Sequence, residues 1–158
     1  MNKIKNNKGM TIVEVLVAIG VIVIIFGIMS GLSIFSLRIT NLAKETSQAN
    51  HLATEAMEAV RSFRDGTDWN INGLASLTLA PQEYHPEIIN DSWALAPGDQ
   101  EIDGFNRKII INEVRRNISG NIIESGGSVD QDSRKITVIV SWKDQEVKII
   151  SYLTNWRQ

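Results

Sequence analysis

The sequence predicts an α+β protein in which a long amino-terminal α-helix packs on a carboxyl-terminal antiparallel β-sheet. The helix is predicted by an apolar run at residues 10–37 and by a helical periodicity that continues over residues 38–64. The sheet is predicted by the alternation of apolar and polar residues within positions 105–158. An acidic, loop-rich region at residues 65–104 connects helix and sheet, and residues 1–9 form a short basic leader before the apolar run.

The apolar run is long enough to cross a membrane. Residues 10–37 contain a single charged residue, Glu14, and a hydrocarbon core of about 30 Å requires roughly 20 apolar residues in a helix. The preceding leader carries Lys3, Lys5 and Lys8 and no acidic residue. Because basic flanks stay on the cytoplasmic side, we expect the amino terminus inside, one span, and the remainder of the chain outside.

A secretory signal peptide fits this amino terminus less well than a retained helix does. The apolar part of such a peptide covers about 7 to 15 residues and precedes a small-residue cleavage site. Here the apolar run is longer, has no A-x-A-like site, and continues into helix-forming sequence. A plain signal anchor remains an alternative.

Glu14 is the residue that a plain anchor does not explain. A carboxylate in the centre of a span costs about 2.5–3.5 kcal/mol on insertion scales, and less near its end. One interpretation places Glu14 at the interface, within reach of water. In the other, cleavage after Gly9 would create an amine at Met10, four residues before Glu14 and on the same helix face. Between packed subunits this pair would set axial register, because an unpaired charge in apolar surroundings is penalised.

The sequence around Glu14 resembles a known processing signal. Residues 8–18, KGMTIVEVLVA, are similar to the class III signal peptide of type IV prepilins and of type II secretion pseudopilins. The resemblance implies that prepilin peptidase, a membrane aspartyl protease, cleaves after Gly9 and methylates the new amino terminus at Met10. It also implies an assembly role for Glu14. Met10 departs from the pattern, since phenylalanine is commonest there, although other apolar residues occur.

The second half of the predicted helix carries an apolar stripe that needs a covering layer. Arg61 and Arg64 suit the negative end of the helix dipole, and Gly66 indicates that the helix stops. We therefore predict one helix over residues 10–64. Residues 51–65 also resemble the end of this helix in some minor pilins. The stripe consists of Leu42, Ala49, Ala53, Ala56, Val60 and Phe63.

The connecting region is predicted to be mainly loop. Residues 65–103 contain several prolines and glycines and no lysine or arginine, and short strands or helical turns are expected only at residues 74–79 and 86–89. One interpretation is a solvated loop anchored by Trp69 and Trp93. The alternatives are a surface that faces a partner, and a calcium site, because hard cations prefer carboxylate oxygens.

The last third of the chain reads as antiparallel strands. We predict them at residues 105–114, 122–123, 135–142 and 146–154, with a hairpin turn at residues 143–145. This sheet would cover the helix stripe and complete a pilin-like α+β head with the helix as its spine.

The sequence shows no pattern that predicts catalysis, a metal or a cofactor. There is no nucleophile with base and acid, no phosphate-binding loop and no zinc spacing. His51 precedes Glu55 by four residues, which would supply half of a metal site, but His85 is far away in the sequence. The chain has no cysteine, which excludes disulfides and thiolate sites. We therefore predict that the protein is not an enzyme.

DNA is the weaker alternative among binding partners. A cluster of basic residues could contact phosphates, yet no aromatic residues are interleaved for base stacking. The six residues are Arg107, Lys108, Arg115, Arg116, Arg134 and Lys135.

Together these features predict a structural subunit of a type IV pilus-like fibre. It would be a minor pilin that works with prepilin peptidase, other pilin subunits and the assembly platform of a pilus or secretion system. The minor-pilin prediction depends on the resemblance at the helix end and on the missing carboxyl-terminal disulfide. A type II secretion pseudopilin is the alternative of the same fold. A signal-anchored envelope enzyme or sensor is the alternative of another class, and in it Gly9 would not be cleaved.

Overall fold

The structure, a computed structural model, describes residues 11–156. Gly9 and Met10, the predicted processing residues, lie outside the described residues. Seven strands follow the helix within the described part of the chain. In chain order the elements are α1 (Ile12–Gly66), β1 (Glu83–Ile89), β2 (Ser92–Pro97), β3 (Gln100–Ile102), β4 (Phe105–Arg116), β5 (Ile122–Ile123), β6 (Ser128–Trp142) and β7 (Gln145–Thr154).

The predicted fold class is confirmed: a long amino-terminal helix and a carboxyl-terminal antiparallel sheet form a pilin-like α+β protein. The chain divides into two compact units, residues 1–44 and residues 45–158. In the first unit, all side chains from Thr11 to Lys44 are exposed. The second unit, which we call the head, contains the rest of α1, the sheet and the hydrophobic core.

The sheet of the head is antiparallel, with the strand order β2-β1-β4-β6-β7, and β3 and β5 pair with β4 at its two ends. In the central register, Val138 of β6 lies opposite Ile109 of β4 and Ile149 of β7. Alternate residues therefore face the helix, and Ile109 and Val138 are fully buried. At one end of the sheet, the rings of Phe105 and Trp142 lie 5.5 Å apart between centroids.

The helix stripe packs on this sheet through small side chains. Ala49, Ala53, Ala56 and Val60 are fully buried, as predicted, and Phe63 packs at the edge of the core. The prediction for Leu42 is wrong, because this side chain belongs to the first unit and is 49% exposed. The helix ends at Gly66 rather than at Arg64.

The loop-rich interpretation of residues 65–104 is wrong for its second half. Here β1 and β2 form a hairpin, and β3 pairs with the start of β4. The hairpin turn contains Asn90 and Asp91 at φ of 51° and 59°, a conformation that Asn and Asp tolerate better than most residues. The short strand or turn expected at residues 86–89 is the end of β1, which begins earlier, at Glu83. Among the described residues, only β2 pairs with β1 beyond Tyr84. A proline fits such a one-sided position because its missing N–H leaves no ladder bond unmade.

Two boundaries in the last third also differ from the prediction. Strand β6 begins at Ser128 rather than at Lys135, because its first residues pair with the end of β4 beyond an irregularity in the register. The β6–β7 turn contains two residues instead of three, since Trp142 pairs with Gln145. Lys143 in this turn has a φ of 49°.

Candidate assembly interface

The described part of the first unit begins with a capped helix. Thr11 precedes α1, and its Oγ1 accepts a hydrogen bond of 3.3 Å from the main-chain N–H of Glu14. This contact satisfies one of the free N–H groups of the first turn. The exposed carboxylate of Glu14 also lies in the first turn, where a negative charge suits the helix dipole.

The surface of this unit is apolar around the whole helix. All large aliphatic and aromatic side chains from Ile12 to Leu42 are exposed, and Phe26 is 66% exposed. A helix that is apolar on all sides belongs inside a membrane or among other helices. Moving one such side chain out of water is worth about 1.5–3 kcal/mol. The unit therefore needs lipid or neighbouring helices around it.

Membrane spanning is consistent with the length and composition of α1. Within the described residues, α1 is the one helix that could cross a membrane, and its most apolar 18-residue window has a mean hydropathy of 3.0. None of that window is buried within the chain.

Two serine hydroxyl groups of this surface are satisfied by the helix itself. Ser30 Oγ donates to the carbonyl of Phe26 at 2.8 Å, and Ser33 Oγ donates to that of Met29 at 2.9 Å. These hydroxyl groups therefore do not require a partner when the helix enters apolar surroundings.

Three glycines leave open notches along the apolar helix. A Cβ atom added at Gly20, Gly27 or Gly31 would meet nothing within 4 Å. No contact within residues 11–156 therefore requires these glycines. Gly27 and Gly31 form a G-x-x-x-G pattern, and such patterns allow a second helix to approach closely in a membrane.

Comparison with known protein families agrees with this surface. Residues 4–30 match the family model of the prokaryotic N-terminal methylation motif. The chain carries the type IV prepilin signal. The match supports the prepilin and pseudopilin family, to which the sequence resemblance had pointed, and thus a type IV pilin-like or pseudopilin protein. No curated protein and no solved structure matches the chain.

The prepilin signal has consequences for partners, location and activity. It implies processing by prepilin peptidase and assembly with other pilins. Together with the apolar helix, it fits a membrane-anchored protein. Proteins with this signal are structural rather than enzymatic.

Glu45 is the first residue of α1 that belongs to the head of this pilin-like chain, and residues at the β6–β7 turn bind its side chain. The carboxylate of Glu45 accepts hydrogen bonds from Lys143 Nζ at 2.6 Å and from Trp142 Nε1 at 3.2 Å. The hydrogen bond from Lys143 is the main reason why the pKa of Glu45 is lowered. The sequence offers no local signal for this contact, because Glu45 and Lys143 are far apart along the chain.

A buried arginine lies between the helix and the sheet. Arg107 of β4 has a side chain that is only 3% exposed, and its Nη1 lies 3.3 Å from an oxygen of Glu55. The same guanidinium donates to the carbonyl of Leu52 at 3.3 Å and to Gln100 Oε1 at 2.6 Å. Glu55 therefore pairs with Arg107 instead of forming a metal site with the exposed His51.

The predicted basic cluster does not form one open patch. Arg107 and Arg134 are buried, and the guanidinium of Arg134 lies 5.8 Å from the centroid of the Trp69 ring. Three further ion pairs, each 2.6 Å long, engage the cluster: Lys108 with Glu83, Arg115 with Glu113, and Arg116 with Asp130. Five of the six predicted phosphate-binding side chains thus already contact a partner within the head.

At the irregularity in β6, main-chain carbonyl groups of the strand bind residues from distant segments of the head. The register between β4 and β6 shifts after Glu113, which leaves residues 131–133 of β6 without partners on β4. The carbonyl of Gln131 accepts the indole N–H of Trp69, and the carbonyl of Asp132 accepts the N–H of Asn155. The predicted anchoring role of Trp69 is therefore a direct hydrogen bond to a distant strand.

Proposed function

We propose that this chain is a structural subunit of a type IV pilus-like fibre. It is made as a prepilin, inserted in the membrane, cleaved after Gly9, methylated at Met10 and assembled through its apolar helix. The observation that carries this proposal is the methylation motif at residues 4–30, which continues into a helix exposed and apolar on all sides.

The proposal divides the chain by task. Residues 1–9 form the cytoplasmic leader that is removed, and residues 10–37 span the membrane and later pack in the fibre. Residues 38–64 form the amphipathic half of the helix, residues 65–82 connect it to the sheet, and the strands of the sheet lie between Glu83 and Thr154. The lysines of the leader favour a cytoplasmic amino terminus, so the head remains outside.

Glu14 provides the register of assembly in this proposal. In lipid, its carboxylate lies near the end of the span, where the cost of a charge is smallest. When the helix enters a bundle of similar helices, the carboxylate pairs with the methylated amine of Met10 on a neighbouring subunit. A subunit placed one turn too high or too low would leave both charges unpaired in apolar surroundings, which is penalised.

Among pilin-like proteins we favour a minor pilin, because residues 51–65 resemble the helix end of that group. A type II secretion pseudopilin would share the processing, the helix and the α+β head. Deleting the gene distinguishes a minor pilin from a pseudopilin. Loss of surface fibres or of their function supports a minor pilin, whereas retention of secreted enzymes inside the cell with normal fibres identifies a pseudopilin.

The experiment that tests processing is the intact mass of the protein from its native membrane, with fragmentation of the amino terminus. We expect a chain that starts at Met10 and carries one added methyl group. In the variant Gly9→Asp, insertion should continue while the leader is retained. A native chain that starts at Met1 would contradict the proposal and favour a signal-anchored enzyme or sensor.

The role of Glu14 is tested by Glu14→Ala. We expect normal processing and a strong decrease of the subunit in sheared surface fibres. The matched control is Glu58→Ala, because Glu58 is also exposed on α1 and only pairs with Arg61 on the same helix. Incorporation of the Glu14 variant at the level of this control would contradict the register role.

A further inference from the structure

Strand β7 forms one edge of the sheet, and within residues 11–156 no strand pairs with its outer side. All 10 residues of β7, from Gln145 to Thr154, pair with β6 in one continuous register. The strand therefore has neither a bulge nor a proline, two features by which proteins prevent an edge from accepting another chain. Assembly through the apolar helix provides no use for this open edge.

The two ends of β7 show which main-chain groups point to the open edge. Trp142 and Gln145 flank a two-residue turn, and residues in these positions bond to each other. At the other end, the N–H of Asn155 donates a hydrogen bond of 2.9 Å to the carbonyl of Asp132. Because bonding alternates along an antiparallel pair, the odd-numbered residues of β7 bond to β6, and the even-numbered ones direct their N–H and C=O groups outward. The outward residues are Glu146, Lys148, Ile150, Tyr152 and Thr154.

The side chains of these outward residues are all exposed. They lie on the face of the sheet that is opposite the helix, because the alternating residues Ile149 and Leu153 pack in the core. Ile150 is 49% exposed and Tyr152 is 44% exposed. The edge thus combines unpaired main-chain groups with exposed apolar side chains at its centre.

The opposite edge of the sheet, formed by β2, is less suited to accept a strand. It contains only 6 residues and ends at Pro97. Ile89 and Ser92 flank the turn before β2, so the same alternation directs the main-chain groups of residues 93, 95 and 97 outward. Pro97 has no N–H to offer there, and a proline on an edge strand hinders pairing with another chain. The open edge of β7 has no such protection.

The β7 edge is complementary to itself. If two β7 strands run antiparallel about a two-fold axis at Ile150, each Ile150 lies opposite its copy. Lys148 then lies opposite Tyr152 of the second copy, and Glu146 lies opposite Thr154 of the second copy. All N–H and C=O groups that the two strands direct outward would bond to each other. Any other register leaves at least one outward residue of each strand without a partner.

The charges on the edge favour the same register. The ammonium group of Lys148 would lie beside the ring of Tyr152 of the second copy, a contact that cations favour. The two Lys148 residues would be four positions apart, about 14 Å at 3.4 Å per residue. Sliding one strand by four residues would instead place Lys148 opposite Lys148, and like charges in direct opposition are destabilising.

We propose that the β7 edge is a self-association site, at which the head of a second copy of this chain binds by antiparallel β7–β7 pairing. Two-fold dimers with self-complementary interfaces are the commonest form of protein association. The site goes beyond assembly through the apolar helix, because it uses neither the helix nor the processing residue Gly9.

The pairing is tested by pulsed electron paramagnetic resonance on the full chain in detergent. One spin label is attached in Lys135→Cys and, separately, in Ser141→Cys. Both positions lie on β6, one strand away from the edge, and the chain has no other cysteine. With about 4.8 Å between strands and 3.4 Å per residue, we expect Cα separations of about 20 Å between the two copies at position 135 and about 31 Å at position 141.

A proline at the centre of the edge should abolish these distances. Ile150→Pro removes an N–H that points outward, so no bond to β6 is lost, and we expect the dipolar signal to fall by about tenfold. The matched control is Ile88→Pro on β1. Ile88 is 63% exposed, and its N–H does not bond to β2, because the neighbouring Ile89 is the residue that flanks the turn. Circular dichroism of each variant establishes that the head is folded.

Three results would overturn the self-association site. They are the absence of a defined distance at both labelled positions, an unchanged signal in Ile150→Pro, and equal distances at positions 135 and 141. Equal distances would indicate head-to-tail pairing of β7 with β2, in which the second copy keeps the orientation of the first. The same measurement on Gly9→Asp, which retains the leader, should give the same distances. Failure of processing and failure of head pairing are therefore distinguishable.

Discussion

The indole Nε1 of Trp69 donates a hydrogen bond of 3.1 Å to the main-chain carbonyl of Gln131. The irregularity in β6 makes this contact available, because Gln131 has no partner on β4 at this point. The guanidinium of Arg134 lies over the same ring. A turn that follows the helix is thereby attached to β6, an inner strand of the sheet. Four predictions follow from this end of the head and from the apolar helix.

Replacing Trp69 with phenylalanine should destabilise the head without unfolding it. The variant Trp69→Phe keeps an aromatic ring but removes the donor to Gln131, and a hydrogen bond of this kind contributes about 0.5–1.5 kcal/mol, since the carbonyl of Gln131 still accepts a hydrogen bond of 3.1 Å from Arg134 Nη1. The free energy of unfolding is measured by urea titration of the full chain in detergent, followed by far-UV circular dichroism. Trp93→Phe is the matched control, and an equal effect of both variants would contradict the anchoring role of Trp69.

Two adjacent glycines should differ in their tolerance of alanine. Gly126 and Gly127 both have positive φ, 77° and 62°, which costs an L-residue about 1–2 kcal/mol. A Cβ at Gly126 would meet nothing within 4 Å, whereas at Gly127 it would lie 2.2 Å from the carbonyl oxygen of Arg116. Gly127→Ala should therefore lower the free energy of unfolding by about 1–3 kcal/mol more than Gly126→Ala. Equal losses in urea titration would show that the loop moves away without cost.

The stability of the head should depend on pH through Asp130. Its carboxylate accepts hydrogen bonds from Arg116 Nε at 2.6 Å and Ser133 Oγ at 2.7 Å, and the bond from Arg116 is the main reason why its pKa is lowered. Because the folded pKa lies below the unfolded value of about 3.9, the stabilisation is complete above that value. It is lost as the pH falls through the folded pKa.

The variant Asp130→Asn tests this dependence. It should lower the free energy of unfolding by about 1–3 kcal/mol at pH 7, and the loss should shrink as the pH decreases below about 4. Unfolding is measured between pH 2.5 and pH 7 for both proteins. Asp132→Asn is the control, because Asp132 forms no ion pair among those of the described residues. A loss that is constant with pH would contradict an electrostatic origin.

Enlarging a glycine of the apolar helix should affect assembly and leave the chain itself unchanged. The space around Gly31 is open in the structure, so Gly31→Leu should not alter the stability of the head or processing of the leader. In a fibre or membrane bundle, the larger side chain would separate helices that approach at this notch. We expect less subunit in sheared fibres. The control is Ile28→Leu, which changes an apolar side chain of the same helix without adding volume and should assemble normally. Normal incorporation of Gly31→Leu would show that no helix packs at this position.

The features that were predictable are those with short-range signals. The apolar run around Phe26, the stripe at Ala49 and Ala53, and the alternation of Ile136, Val138 and Val140 each reflect a periodicity of one element, and the structure confirms all three. The prepilin signal is also local, since its residues lie within a short segment that the family match covers. Such patterns can be read because helix and strand each impose their own spacing on buried residues.

The features that were missed depend on contacts between distant segments. The β1–β2 hairpin was not predicted as a whole, because it contains Pro86 and Pro97. Whether a strand can contain a proline depends on which of its edges has a neighbouring strand. The pairing of Arg107 with Glu55 converted a predicted surface cation into a buried one. No residue pattern in the sequence marks the irregularity in β6, because it arises from the way in which β4 and β6 pair.

By itself, the sequence determined that this chain has an apolar helix with a processing signal and an α+β head, because hydrophobic periodicity and a contiguous motif are properties of neighbouring residues. Only the tertiary structure decided what lies at the far end of the head. There, Trp69 reaches Gln131 and Trp156 reaches Asp65. The physical reason is that each of these contacts joins residues that are far apart along the chain, and their proximity is set by strand pairing and core packing rather than by local pattern.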